Sequence, residues 1–173
     1  YEYLDIIPVK IFGLTEFATR FPSALFGALT VLISYFLVKR IFYKSNNANA
    51  YGILTSFILA ISPWHIMLSR AAFEANIATF FIVVGVWLFL GGIQERKWYL
   101  LFSAISFALS IYTFNTARVV APLIILMLCI GFWKILMGKY TQTIMAIIIG
   151  ILLLFPTLKF LLSPQASLRF QEV

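Results

Sequence analysis

The chain of 173 residues is 62 % hydrophobic and only 11 % charged, with a net charge of +7 at pH 7 and a mean hydropathy of +1.00. That apolar share lies above the roughly 45–50 % of soluble domains, which excludes an ordinary water-soluble globule. The 13 lysines and arginines fall singly or in pairs between apolar runs, as loop anchors do, so no nucleic-acid partner is expected.

Residues 1–20 (YEYLDIIPVKIFGLTEFATR) are too charged to span a bilayer. They read as an external juxtamembrane, interfacial amphipathic segment, broken at Pro8 and Gly13. Thr15 can cap the helix that follows, with Glu16 favourably placed at its start. Six apolar runs of about the length needed to cross a membrane come next. They cover residues 21–41 (with Pro22 in the first turn), 51–68, 75–93, 98–114, 119–137 and 141–162. The tail, 163–173, reads as the start of an external loop. The expected architecture is all-α and polytopic, with about six transmembrane helices and no repeat. Cys129 stands alone inside an apolar run, so an intramolecular disulfide is excluded. The chain opens without methionine in one semi-polar segment and closes in another, which makes a fragment of a longer protein the expectation.

Alternation of the spans sorts the charges onto two faces. One face carries Lys39, Arg40, Lys44, Arg96, Lys97, Lys134 and Lys139 against the single acid Glu95. The other carries Lys10, Arg20, Arg70, Arg118, Lys159 and Arg169 among five acids. Seven cations against six do not decide orientation alone. The doublets at tight turns and the aromatic belt of Tyr43, Tyr51, Trp98, Tyr99, Trp133 and Tyr140 put the first face in the cytoplasm. The other face is then external in a multi-pass protein of the cell membrane.

The chemistry gathers in Ser62-Pro63-Trp64-His65-Ile66-Met67-Leu68-Ser69-Arg70-Ala71-Ala72-Phe73-Glu74, between two apolar runs. A proline that removes a donor forces a turn there. Arg70 and Glu74 stand four apart, so on one helix they would share a face. The structural alternative is a helix start, with Ser69 as cap and Arg70 at the headgroups. His65 lies near the same surface, and with a carboxylate it can share proton or metal work. One histidine and one carboxylate are not a metal motif, so no metal ligands are assigned and a divalent metal is left open. Arg118 and Arg169 stand at later external turns. Arginines at several external turns suit a phosphate held at the membrane surface, because the planar fork binds it bidentately.

Residues 16–31 (EFATRFPSALFGALTV) resemble the second span of the GT-C membrane glycosyltransferases. The nearest likeness is to the dolichyl-phosphate-mannose–protein mannosyltransferases and the related lipid A aminoarabinose transferases. Ser62-Pro63-Trp64-His65 through Arg70 and Glu74 resembles that family's second external loop. Tyr112-Thr113-Phe114 through Ala117-Arg118 and Ser163-Pro164 through Arg169 resemble its later external turns. The resemblance implies transfer of a sugar from a polyprenyl-phosphate carrier to a protein, lipid or glycan acceptor on the outer face. It implies catalytic roles for Arg70, toward the carrier phosphate, and Glu74, orienting acceptor, arginine or metal. His65, Arg118 and Arg169 are the substrate-binding candidates. The family's essential acid lies in a first external loop expected upstream of Tyr1, and Asp5 does not sit in that motif. The chain alone is therefore expected to be inactive. The competing readings are a transporter or flippase whose external arginines contact lipid phosphates, and a lipid-linked glycan ligase or polymerase.

Overall fold

The computed structural model describes residues 2–71 and 73–161. Among them the chain is helical throughout: α1 (Glu2–Phe12), α2 (Glu16–Ile41), α3 (Ala48–Ile61), α4 (Pro63–Arg70), α5 (Glu74–Gln94), α6 (Tyr99–Thr113), α7 (Ala117–Gly131), α8 (Trp133–Gly138) and α9 (Tyr140–Leu161). The expected all-α architecture is what forms. The tail at 163–173, with Arg169, lies outside the described residues.

Local chemistry explains the first breaks. α1 continues through Pro8, contrary to the expected break, although proline removes the amide that would bond to the Leu4 carbonyl. The chain turns at Gly13, whose φ of 74° suits a residue without Cβ. Thr15 then caps α2 as its spacing predicts, its hydroxyl accepting from the Ala18 amide at 3.2 Å. Glu16 opens the helix and pairs with Arg20 at 3.5 Å on the exposed face. The helix begins at Glu16, as that cap implies, and carries the expected span at 21–41 within it, so Pro22 sits in its second turn rather than its first.

α2 buries small and hydroxyl-bearing residues, and α2, α3, α7 and α9 turn large apolar ones outward. On α2 the buried face is Ala18, Ser23, Gly27, Thr30 and Ser34. Thr30 and Ser34 donate back to carbonyls one turn earlier, at 2.7 Å each, so their hydroxyls are buried with partners. Ile53 and Phe57 of α3, Leu123 and Met127 of α7 and Ile148 and Leu152 of α9 are all more than half exposed. That inverted pattern is the one lipid surroundings produce, since tails solvate leucine as well as another helix does and small residues let backbones approach. The chain is a membrane protein.

Among the described residues two helices are long and apolar enough to cross a membrane, α2 and α5. α3 and α4 pass that test only together, and they are bent by 60° at Ser62-Pro63. The expected second span at 51–68 is therefore a broken one, and α4 is a separate helix at the end of the bundle. α6 and α7 are 15 residues each, about 22 Å of rise against a hydrocarbon core of roughly 30 Å. The expected fifth span at 119–137 is likewise divided, into α7 and the short α8.

Packing runs from α3 through α2, α5 and α6 to α9, with α7 against α6. The α5–α6 hairpin is its tightest pair. Gly85 lies under the Phe107 ring and its carbonyl accepts from the Ser103 hydroxyl at 2.8 Å. Phe89, Leu90, Ile93, Leu100 and Leu136 form one buried cluster, and Phe107, Ile111 and Ala121 form another. Each hairpin reverses the chain, while α2 and α5 run parallel, Ser23 lying by Asn76 at one end and Arg40 by Glu95 at the other, so the α4–α5 and α6–α7 junctions share one end of the bundle. The α2–α3, α5–α6 and α8–α9 junctions share the other.

Candidate functional site

The end that carries the α4–α5 junction is held together by a polar seam between α2, α4 and α5. The Ser23 hydroxyl donates to the Leu68 carbonyl at 3.2 Å. Asn76, 2 % exposed on α5, donates to the Ser23 carbonyl at 2.7 Å and reaches its hydroxyl at 3.4 Å. His65 Nε2 stands 3.1 Å from the Gly27 carbonyl. A carbonyl can only accept, so that nitrogen carries the proton in this contact. The Ser69 hydroxyl donates to the His65 carbonyl at 2.7 Å, folding back along α4. Gly27 is what permits this approach: a Cβ there would stand 2.2 Å from Ser69 Oγ and 2.7 Å from Ser69 Cβ.

The seam fixes where the candidate residues go. Arg70 is the last residue of α4, and Ala71 ends that helix with its amide on the Met67 carbonyl. Glu74 is the first residue of α5, after Phe73 in extended conformation. The two therefore do not share a helical face, as four-residue spacing on one helix would require; they flank a break. Ser69 is not the cap of α5 either, since Phe73 holds that position and caps it with no side-chain bond. Both Arg70 and Glu74 are exposed, and among the described residues neither belongs to an ion pair. A carboxylate at the first position of a helix is favoured by the amides it faces.

The other candidates are placed differently. His65 is half-buried with one ring nitrogen already engaged by α2, so it ties α4 down and leaves only Nδ1 for a ligand. Arg118 stands at the start of α7 at the same end of the bundle, half-buried, with its Nε shielded and unpartnered among the described residues. Arg169 lies outside the described residues. Among the described residues no three histidine, cysteine or acidic side chains come together as a metal would require.

At the opposite end the structure holds a cluster that sequence reasoning assigned to loop anchoring. Arg40, its side chain only 11 % exposed, donates to both carboxylate oxygens of Glu95, at 2.9 and 3.0 Å, and to the Trp87 carbonyl at 2.9 Å. The guanidinium lies 4.7 Å from the Trp87 ring and 5.8 Å from that of Tyr99. Lys139 donates to the Gly92 and Ile93 carbonyls, closing the C-terminus of α5. Burial, reinforced by the nearby Lys97, pushes the Lys139 amine below its ordinary pKa. The one legible signal was that Glu95 is the only acid on a face of seven cations.

Comparison with known proteins bears on this arrangement. Residues 1–160 match the family described as dolichyl-phosphate-mannose-protein mannosyltransferase, and the chain belongs to that family. It is 33 % identical over 114 residues to an uncharacterized protein of Aquifex aeolicus (strain VF5), covering 65 % of this chain and 22 % of that protein. It is 28 % identical over 94 residues to the putative mannosyltransferase YkcB of Bacillus subtilis (strain 168), covering 54 % of this chain and 12 % of that protein. The chain thus spans less than a quarter of the length of either relative. No solved structure matches it.

Proposed function

We propose that this chain contributes to a membrane glycosyltransferase that moves a sugar from a polyprenyl-phosphate carrier to a protein, lipid or glycan acceptor at the outer face of the cell membrane. The observation that carries the reading is the α4–α5 break in a member of this family. There an arginine and a carboxylate flank the junction, exposed and outside any ion pair among the described residues. Cations committed to structure look different, as the buried Arg40 with its partners illustrates.

In such a transfer an acceptor hydroxyl oxygen bonds to the anomeric carbon as the carbon–oxygen bond to phosphate breaks. The carrier leaves as its phosphate, the hydroxyl proton passes to a carboxylate base, and positive charge develops on the sugar in the transition state. Arg70 is assigned to the leaving phosphate, where two parallel N–H donors meet charge that grows in the transition state. Glu74 is assigned to the acceptor hydroxyl or to Arg70 itself, with the first amides of α5 behind it. His65 acts on neither directly; by gripping Gly27 it fixes the helix that ends in Arg70. The doublet-bearing face then lies in the cytoplasm.

The test is sugar transfer by the full-length protein carrying Arg70→Ala or Arg70→Lys. Removing one preorganised donor costs on the order of 10²–10³ in turnover. Lysine keeps the charge without the fork, so it fails as well. Both variants insert normally. If these residues only shaped the helix ends, turnover would hold and stability would fall by about 1 kcal/mol.

A further inference from the structure

We propose that the slot between α6, α7 and α9 holds one acyl chain of an anionic phospholipid whose phosphate is gripped by Arg118. α7 and α9 each pack on α6 but scarcely touch each other, which leaves an apolar cavity of about 250 Å³ between them. Its wall includes Phe107 and Ile111 of α6, Ile125 and Cys129 of α7 and Gly150 and Leu154 of α9. The two hydroxyls that reach it are already committed, Ser103 to the Gly85 carbonyl at 2.8 Å and Thr143 to the Lys139 carbonyl at 3.1 Å. Water entering the slot would find no partner, and apolar cavities of this kind stay dry. A hydrocarbon chain has no such requirement.

The slot has a length and a head. Along α9 it extends from Thr143 to Leu154, 11 residues, or about 16 Å of rise. Half of a hydrocarbon core of roughly 30 Å is the depth of one leaflet. On α7, Arg118 stands three, seven and eleven residues before Ala121, Ile125 and Cys129, which puts it on the slot-lining face. It lies about 10 Å beyond Ile125, toward the bundle end where Ile111 and Leu154 close the slot. Its Nε is shielded from solvent and bonds to nothing among the described residues. A buried donor on a charged group left unpaired is costly, and an anionic oxygen is the partner that removes the cost. A diacylglycerol fills the slot and leaves Nε orphaned, and inorganic phosphate does the reverse. A phosphate-headed lipid of ordinary chain length satisfies both. The assignment is independent of the transfer reading at Arg70 and Glu74.

The test uses the full-length protein, delipidated in neutral detergent and given phosphatidylglycerol with a photoreactive group in one acyl chain. Retention is read by native mass spectrometry and crosslinks by peptide mapping. One phosphatidylglycerol is expected per protein, with crosslinks in 125–129 and 147–154 and at least tenfold weaker retention of diacylglycerol. Arg118→Gln lowers phosphatidylglycerol retention to the diacylglycerol level. Gly150→Leu blocks the slot from a position where an added Cβ meets nothing within 4 Å, so the protein folds and loses the lipid. Equal retention of the two lipids, unchanged retention by either folded variant, or displacement by polyprenyl phosphate at equal concentration would overturn the proposal. An increase in stability with inorganic phosphate alone, without lipid retention, would also overturn it.

Discussion

Substituting Gly27 by alanine tests whether α4 is positioned by the seam. The new Cβ would stand 2.2 Å from Ser69 Oγ, 2.7 Å from Ser69 Cβ and 3.2 Å from Asn76 Nδ2. The hydroxyl can rotate away, but the Cβ is fixed to the α4 backbone. To restore an ordinary separation of 3.4 Å or more, α4 must move off α2 by nearly 1 Å. Overpacking of this kind costs about 1–3 kcal/mol. The shift also lengthens the 3.1 Å contact from His65 to the Gly27 carbonyl and carries Arg70, one residue past Ser69, with it. A displacement of about 1 Å at a phosphate-binding residue lowers turnover by on the order of 10²-fold. The assay is reversible unfolding in detergent, followed by tryptophan fluorescence, alongside sugar transfer by the full-length protein. The second substitution Ser69→Gly removes both clashing atoms, so Gly27→Ala/Ser69→Gly regains activity and most of the stability, less about 1 kcal/mol for glycine in a helix. Wild-type stability for Gly27→Ala alone, or no rescue by Ser69→Gly, would refute the reasoning.

Arg40→Met loses a charge-assisted bond to a carbonyl and a cation–π contact. It leaves Glu95 half in solvent rather than buried, so a loss of about 2 kcal/mol in the same unfolding assay is expected, below the 3–5 kcal/mol of a fully buried pair. Single cysteines at Ser45, Arg96, Arg70 and Asn115, in a Cys129→Ser background, should react with an impermeant reagent from outside only at Arg70 and Asn115; outside labelling at Ser45 would reverse the orientation. Burial pushes the Asp5 carboxyl above its ordinary 3.8, and its Oδ1 has no hydrogen-bond partner among the described residues. The folded chain then holds that proton to higher pH than the unfolded chain, so stability falls as pH rises from 3.8 through the folded pKa and stays lower above it. Asp5→Asn should flatten that limb and raise stability at neutral pH; an unchanged pH profile would show that Asp5 is solvated.

What was legible in the sequence follows from how local each cause is. Thr15 as cap and Gly13 as break depend on neighbours within three residues, and both are read directly from the chain. The apolar runs give helix positions within a few residues because lipid imposes length and composition on each helix separately. The sharpest difference lies at Pro63. The proline predicts a turn, yet the apolar run continues to 68, and four-residue spacing puts Arg70 and Glu74 on one face only if a single helix carries both. The backbone instead breaks twice, at Ser62-Pro63 and again between Arg70 and Glu74. The seam itself was not legible, since Ser23, His65, Ser69 and Asn76 are ordinary residues until α2, α4 and α5 meet. Nor was Arg40, whose partners lie 47 and 55 positions away and depend on Gly91 admitting the guanidinium.

The most direct measurement of the central claim is donor-dependent sugar transfer by purified full-length protein carrying Glu74→Ala, with insertion and unfolding measured on the same preparation. Glu74 is the first, exposed residue of α5, so its removal should cost no more than about 1 kcal/mol of stability. The account predicts a fall in turnover of on the order of 10²-fold or more in a well-folded protein. Turnover at the wild-type rate from that protein would contradict it.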